Sequence, residues 1–264
     1  MELEKALEQM ANMTHGRLFR TRVFSDFLAY SALLLSIRTD PVHSAQRLQS
    51  FRELKGPYRD TEWQTFHETL ALLCAEVEAQ ADKGNYKDLL AIPYALSGAR
   101  EKSFKQDFTP RGVAQVMTTI AIRDDTTLPK EGFFTLNDCT CGSGTLMLAA
   151  AERLSHLGYN PSEQLVVQVS DLDIRCAHMA YLQLSLYGIP AVVIHGDAIT
   201  LKEYSRWYTP MYLIGKWIWR APMPFGTDGA ASDMMLKMID EPIYGTYIRL
   251  SRGMLNPKTD GEDA

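Results

Sequence analysis

The chain lacks any apolar run close to the roughly 20 residues that a membrane-spanning helix needs, and its first residues do not form a signal-peptide pattern. Its four cysteines have neither the paired spacing of a zinc site nor the pattern of a disulfide framework, and its six histidines are scattered. These absences predict a cytoplasmic protein with no membrane segment and no bound metal.

A net positive charge is also absent. The formal charge is −5 over 264 residues, which argues against a protein that binds DNA over its whole surface. A hydrophobic content of 46% is enough to build one domain with a helical appendage. The prediction is a helical N-terminal region (residues 1–100), an α/β core (101–257) and a polar tail (258–264), with no linker that would divide the chain into independent folding units.

The most informative feature that is present is a glycine-rich turn between a strand pattern and a helix pattern. Residues 133–136 are typical of a strand, Asp138, Gly142 and Gly144 follow, and small apolar residues continue over 145–151. A turn of this kind brings backbone N–H groups and a helix N-terminus close to a bound ligand. The same turn can also serve tight packing alone.

Two further apolar strand patterns end on acidic residues. Residues 164–170 lead to Asp171, with Asp173 as a competing candidate, and residues 191–195 lead to Gly196 and Asp197. In a doubly wound sheet, the carboxylate at the end of the strand after the glycine turn is placed to accept hydrogen bonds from ribose hydroxyls. The sequence therefore predicts Asp138, Asp171 and Asp197 at one edge of a parallel sheet.

These residues resemble the N6-adenine DNA methyltransferases of the type that includes the modification subunits of type I restriction systems. The family's Asp-Pro-Thr-Cys-Gly-Ser-Gly turn is similar to residues 138–144, where Cys139 replaces the proline. Its Gly-Asp-Thr/Ser-Leu segment looks like residues 196–199, and its Gly-Gln-Phe-Phe-Thr-Pro motif is similar to residues 105–110. Thr109 also has the position of a helix cap before Pro110.

The resemblance implies a Rossmann-like sheet that binds S-adenosylmethionine. Asp171 would bind the ribose, Asp197 would approach the adenine, and the glycine turn would hold the methionine part. The implied cofactor-binding residues are Phe108, Thr109, Pro110, Asp138, Thr140, Gly142, Gly144, Asp171 and Asp197.

The family's catalytic motif, Asn/Asp-Pro-Pro-Tyr/Phe, is eroded in this chain. The corresponding segment is residues 212–225, in which Pro222, Pro224 and Phe225 remain but no asparagine or aspartate leads them. Alanine and proline side chains cannot accept a hydrogen bond from a target amino group. Asp228 is the nearby carboxylate that could replace the missing group, and the catalytic residues stay unassigned.

The sheet is expected to be truncated at its C-terminal end, because about forty residues follow Phe225 where the family continues with several strands. Basic and aromatic residues between Lys202 and Arg220 could contact nucleic acid, and Lys216, Trp217 and Arg220 are the candidates. The alternative, which we favour, is that the tryptophans pack over the sheet edge while the basic side chains reach solvent.

The first hundred residues carry apolar residues at helical spacing, over 22–37 and again over 61–79 with Thr61 as a cap. The resemblance implies DNA as a substrate and a protein partner or specificity subunit. Two functions compete: an adenine-N6 DNA methyltransferase, and a catalytically inactive relative that acts as a regulatory, decoy or anti-restriction protein. An unrelated nicotinamide-dependent enzyme is disfavoured, because residues 105–110 and 196–199 would have no role in it.

Overall fold

The structure, a computed structural model, describes residues 2–98 and 108–221. The helical N-terminal region contains α1 (Glu2–Asn12), α2 (Arg20–Thr39), α3 (Ser44–Lys55), α4 (Asp60–Ala81) and α5 (Ala91–Leu96). The rest contains α6 (Arg111–Ala121), β1 (Phe134–Asp138), α7 (Thr145–His156), α8 (Pro161–Gln164), β2 (Leu165–Asp171), α9 (Ile174–Leu186), β3 (Ala191–Asp197), β4 (Lys202–Tyr208), α10 (Pro210–Ile214) and α11 (Trp217–Arg220). None of these helices is long and apolar enough to cross a membrane.

The four strands form one sheet in the order β1-β2-β3-β4. The first three strands are parallel, because α7 and α9 return the chain between them, whereas β4 follows a short turn and pairs antiparallel with β3. The predicted α/β class is confirmed, because the structure combines helices with a mostly parallel sheet. The described part of the segment that the resemblance aligns with the catalytic motif is helical, as α10 and α11, and the motif residues Pro222, Pro224 and Phe225 lie outside the described residues.

Burial along the strands explains why apolar patterns in the sequence predicted β2 and β3. Residues Leu165 to Val169 of β2 are all buried, as are Ala191 to Ile194 of β3, which is the continuous apolar pattern of strands covered on both faces. In β1, half-buried and exposed residues alternate. Among the described strands, β1 therefore lies at one edge of the sheet, with β4 at the other.

One hydrophobic cluster joins the helical region to the sheet. In its helical part, the Phe27 and Tyr30 rings of α2 lie 5.8 and 5.6 Å from the Phe66 ring of α4. The same cluster includes Val167 and Val193 from the sheet. The N-terminal helices therefore form part of the core on which the sheet is built.

Two predicted helix caps are wrong. Helix α4 begins at Asp60, and the backbone N–H of Arg59 donates to the Glu62 carboxylate at 2.9 Å, so Thr61 lies in the first turn and does not precede it. Helix α6 begins at Arg111 with Pro110 at the N-cap position and no side-chain cap. Thr109 consequently does not cap that helix.

Arg47 connects the helical region to the edge strand β4. It is buried, its Nη1 lies 2.6 Å from Asp40 Oδ2, and its Nη2 donates to the backbone oxygen of Arg206 at 2.6 Å. Its guanidinium lies 4.2 Å from the centre of the Trp207 ring. The burial of Trp207 fits the packing alternative for this tryptophan.

His178 of α9 is buried against Trp207, with the ring centres 4.8 Å apart. Burial lowers the pKa of this imidazole from 6.5 to about 3. The folded state therefore binds fewer protons than the unfolded state between these values, and the stability contributed by the neutral ring is lost as the pH falls below 6.5. We expect the free energy of unfolding to fall by about 1.4 kcal/mol per pH unit in that window.

Urea unfolding at near-neutral and at mildly acidic pH measures this slope. The His178→Phe variant keeps a ring against Trp207 and should flatten the slope, whereas a change at the exposed His156 should leave it intact. Equal slopes in wild type and His178→Phe would show that His178 does not cause this pH dependence of stability.

Candidate functional site

The carboxyl ends of β1, β2 and β3 meet at one cavity. Asp138, Asp171 and Asp197 are the last residues of these adjacent strands, and all three line a cavity of about 620 Å³. This volume lies within the range of about 300–1,000 Å³ that is typical of small-molecule sites. The three aspartates therefore lie together at the carboxyl ends of the parallel strands, as predicted.

Asp171 organises the glycine turn from the neighbouring strand. Its Oδ2 accepts a hydrogen bond from the Gly142 N–H and its Oδ1 accepts one from the Asp173 N–H, both at 2.9 Å. Burial raises the pKa of this carboxyl above its usual 3.8, although these two hydrogen bonds act in the opposite direction. The carboxylate that the sequence assigns to a ribose thus also fixes the backbone of the turn.

The other two strand-end aspartates bind the backbone of their own loops. Asp138 Oδ1 accepts from the Thr140 N–H at 3.1 Å, and Asp197 Oδ1 accepts from the Ile199 N–H at 2.9 Å. The Thr200 hydroxyl, together with backbone N–H groups, lowers the pKa of Asp197. Each aspartate therefore shapes the loop that follows its strand.

Asp173, the competing candidate for the ribose contact, is the N-cap of α9. Its carboxylate accepts from the Arg175 N–H at 2.9 Å and forms an ion pair with the Arg175 guanidinium at 2.7 Å. Asp173 is buried and also lines the cavity. Its charge is compensated by Arg175, which makes Asp171 the better candidate for a ligand contact.

Both glycines of the turn have left-handed backbone conformations, with φ of 55° at Gly142 and 90° at Gly144. A Cβ atom at Gly142 would lie 3.1 Å from the Phe108 ring, and one at Gly144 would lie 3.5 Å from Ala180. The turn therefore needs glycine for its backbone angles, and at Gly142 also for the close approach of Phe108.

The upstream motif reaches the same cavity. Phe108 and Thr109 line it together with Asp138, Thr140 and Gly142. Pro110, the N-cap residue of α6, and Gly144, which lies next to Ala180 of α9, do not line it. Residues 105–107 of the motif lie outside the described residues.

Asp88 holds the glycine turn from the side of the helical region, a role that no sequence pattern predicted. Its Oδ2 accepts hydrogen bonds from the hydroxyls of Ser143 and Thr145, and its Oδ1 accepts from the N–H groups of Leu90 and Ala91 at 3.0 and 2.9 Å. One carboxylate thus joins the start of α7 to the start of α5. The sequence signals only the contact with the start of α5, because an aspartate just before an apolar helix pattern is typical of a helix N-terminus.

Glu152 has a similar role beneath α6. This buried carboxylate of α7 accepts from Arg111 at 2.7 Å, from Gln115 at 2.8 Å and from the Tyr86 N–H at 2.9 Å. It fixes the helix that follows Phe108 and Thr109. The sequence signal that could have identified Glu152 is a single charged residue directly after three alanines of an apolar helix pattern.

The predicted nucleic-acid residues do not form one surface. Trp217 is fully buried, with its ring centre 5.1 Å from that of Phe133 and the Arg220 guanidinium 3.9 Å from it. In this structure the buried Trp217 ring presents no face on which a base could stack. Lys216 and Arg220 are exposed, and their contact with nucleic acid stays a prediction.

The charge of the cavity restricts what it can hold. Its lining contains four aspartates and, among the described residues, no lysine or arginine. One of the four, Asp173, is paired with Arg175. Over residues 2–98 and 108–221, no group of three metal-ligating side chains is placed to hold a metal ion. The lining therefore suits an organic ligand that carries positive charge.

The chain is thus a mixed α/β protein with an acidic cavity at the carboxyl ends of its parallel strands. No protein-family model and no curated protein matches it. Among solved structures, it is similar to the methyltransferase subunit of a type I restriction-modification system from Streptococcus thermophilus, with 16% identity and a TM-score of 0.36 over 75% of this chain and 58% of that chain. The matched region is less than two thirds of the length of that protein, and a similarity of this size supports no statement about function.

Proposed function

We propose that the acidic cavity binds S-adenosylmethionine and that the protein belongs to the N6-adenine DNA methyltransferases. The observation that carries the cofactor assignment is the acidic lining, since S-adenosylmethionine carries a sulfonium and an ammonium group. Asp138, Asp171 and Asp197 offer negative charge at three adjacent strand ends. Opposite charge at short range favours a bound cation.

The same lining disfavours a dinucleotide with a diphosphate. Such a ligand needs basic side chains or free backbone N–H groups near its phosphates. At this turn, the N–H groups of Thr140 and Gly142 already donate to Asp138 and Asp171. The carboxylates would also repel the phosphates.

The residues that line the cavity offer a contact for each part of the proposed cofactor. In the proposed complex, Asp171 binds the ribose hydroxyls, Asp197 approaches the adenine, the turn at Gly142 holds the methionine part, and Phe108 with Thr109 covers the turn. When bound, S-adenosylmethionine supplies an electrophilic methyl group. The role of the chain in this proposal is to bind and orient that group.

DNA adenine as the methyl acceptor rests on the sequence resemblance. The exposed Lys216 and Arg220 precede the eroded motif at Pro222, Pro224 and Phe225, which lies outside the described residues. Exposed basic side chains of this kind would contact DNA phosphates without sequence preference. Methylation of adenine in DNA is therefore the proposed activity of the bound cofactor.

A second candidate function is a methyltransferase-like protein that acts through protein partners, and one observation favours it. Helix α6 buries Ala114 and Thr118 and leaves its large apolar side chains between 48% and 72% exposed. These side chains, at helical spacing, are Val113, Val116, Met117 and Ile120. An apolar helix face beside the cavity is typical of a protein contact.

Isothermal titration with S-adenosylmethionine, followed by methyl transfer to unmethylated DNA on the same sample, tests the two functions. Binding with transfer supports the enzyme. Binding without transfer supports the partner-dependent candidate. The absence of binding would refute the cofactor assignment in both.

Cys139 provides a test of where the cofactor binds. It is exposed on the cavity, whereas Cys141 and Cys176 are buried and their thiol pKa values are raised by burial. Burial also raises the pKa of Cys74 to about 11. Because the thiolate is the reactive form, we expect N-ethylmaleimide to label Cys139 first and saturating S-adenosylmethionine to slow that labelling by at least about tenfold.

Cys139→Ser is the matched control and should remove the fast labelling phase. If the cofactor binds in the titration but leaves the labelling rate of Cys139 unchanged, the binding site lies elsewhere.

A further inference from the structure

A cavity of about 740 Å³ lies along the edge strand β4 and shares no lining residue with the acidic cavity. We call it the β4 cavity, because the consecutive residues from Glu203 to Tyr208 all line it. Its other walls come from α2 and α3 of the helical region and from the first two turns of α9. Its volume is typical of a small-molecule site.

His178 of α9 is the observation that points to a ligand in the β4 cavity. It lines the cavity, is only 7% exposed and packs edge-on against the Trp207 ring. Its ring nitrogens have no hydrogen-bond partner among residues 2–98 and 108–221. A neutral imidazole has one donor and one acceptor, and burying both unpaired is costly. A ligand in the cavity would supply the missing partner.

The charge of the β4 cavity differs from that of the acidic cavity. Two guanidinium groups line it, against a single carboxylate among the described residues, Glu203, which is paired with Arg206 at 2.6 Å. The second guanidinium belongs to the buried Arg47. Its partner Asp40 is fully buried and does not line the cavity. Positive charge therefore lies nearer to the cavity than the negative charge that balances it, which favours an anionic ligand.

Two imidazoles strengthen this preference. His43 Nδ1 lies 2.9 Å from Asp40 Oδ2, the same oxygen that lies 2.6 Å from Arg47 Nη1, so one carboxylate oxygen serves two basic side chains. His43 and His178 both line the cavity. Each ring can take up a proton when an anion binds beside it, so a bound anion would meet groups that can match its charge.

The remaining walls of the β4 cavity are aromatic and aliphatic. The buried Trp207 and the 48% exposed Tyr204 line it, together with Leu33, Leu54 and Ile174. Walls of this kind favour a flat apolar body. The ligand that fits both the charge and the walls therefore has two parts, an aromatic ring and an anionic group.

We propose that the β4 cavity binds an aromatic organic anion. Its charged group lies near Arg47 and His43, its ring packs against Trp207, and His178 donates a hydrogen bond to it. Aryl carboxylates and nucleoside monophosphates share this chemistry. Because the two cavities have no residue in common, this inference goes beyond the proposed function and does not rest on it.

Ligand-observed NMR on the full chain with phenyl phosphate tests the proposal. Phenol carries the ring alone, and inorganic phosphate carries the charge alone. We expect phenyl phosphate to bind at least about tenfold more tightly than either of them. Parallel titrations with benzoate and deoxythymidine monophosphate distinguish the two sources of this chemistry, since the tighter ligand identifies the class that the cavity prefers.

Variants of α3 show whether the binding occurs in the β4 cavity. Ser50 is exposed and lines the cavity, whereas its exposed neighbour Gln49 does not. Ser50→Glu places a negative charge at the cavity, and Ser50→Gln adds similar bulk without the charge. We expect Ser50→Glu to bind phenyl phosphate at least about tenfold more weakly than Ser50→Gln. Gln49→Glu is the matched control and should bind as tightly as wild type. Glutamate and glutamine are good helix formers, so these exposed changes should keep the fold.

His178→Phe keeps a ring against Trp207 but removes the hydrogen-bonding nitrogens, and it should weaken phenyl phosphate binding by about fivefold or more. Three results would overturn the proposal. These are phenyl phosphate binding no more tightly than phenol or inorganic phosphate, equal affinities in Ser50→Glu and Gln49→Glu, and wild-type affinity in His178→Phe. S-adenosylmethionine should bind wild type and the α3 variants equally, and its failure to bind wild type would refute the cofactor assignment without affecting this inference.

Discussion

Replacing Asp88 with alanine is expected to lower the free energy of unfolding by about 3 kcal/mol and to weaken S-adenosylmethionine binding by at least about tenfold. The carboxylate accepts from two hydroxyls at the start of α7 and from two backbone N–H groups at the start of α5. Alanine leaves all of these donors without their acceptor. The glycine turn precedes α7 directly, so loss of this anchor should loosen the turn against which the cofactor is proposed to bind.

Urea unfolding and isothermal titration measure the two effects. Asp88→Asn keeps one accepting oxygen and should fall between wild type and Asp88→Ala. Asp60→Asn is the control, because the Asp60 side chain is 96% exposed and its pairing with Lys55 at 3.5 Å lies at the surface. If Asp88→Ala has the stability and the affinity of wild type, Asp88 does not organise the turn.

The role of Asp88 could not be predicted from the sequence, unlike the positions of the three strand-end aspartates. Asp138, Asp171 and Asp197 were found because each directly follows an apolar strand, a pattern contained in a few consecutive residues. Asp88 meets Ser143 across 55 positions of the chain. A contact of that kind depends on how the helical region packs on the sheet, which no local pattern encodes.

Strand β4 also could not be predicted from a local sequence pattern. Its residues from Lys202 to Tyr204 are exposed, and no apolar alternation marks them as a strand. The strand forms because a turn after Asp197 returns the chain alongside β3, where the backbone groups pair. Its antiparallel direction is therefore a result of loop length and pairing.

Helix α6 was predicted as a helix, but its orientation is the opposite of what its composition suggests. Its large apolar side chains face outward, while small and polar residues contact α7 through Ala114 and the Glu152 network. The close packing of the two helices needs small residues at the contact. Hydrophobic periodicity alone would have buried the other face.

Replacing Asp171 with alanine is expected to weaken S-adenosylmethionine binding by about tenfold to a hundredfold. Two contributions are expected. In the proposed complex the carboxylate binds the ribose hydroxyls, and in the structure it accepts from the Gly142 N–H at 2.9 Å, which fixes the turn. Loss of affinity alone cannot separate a direct contact from an indirect one.

A cofactor analogue that lacks a ribose hydroxyl separates them. If Asp171 binds the ribose, wild type should favour the complete cofactor over the deoxy analogue, and Asp171→Ala should bind both equally. If Asp171 acts only through the turn, both affinities should fall by the same factor and the preference should persist. Asp138→Ala is the control, since Asp138 accepts from the Thr140 N–H within its own loop at 3.1 Å and has no proposed ribose contact. A preference that is unchanged in Asp171→Ala would therefore leave Asp171 as a residue that positions the glycine turn.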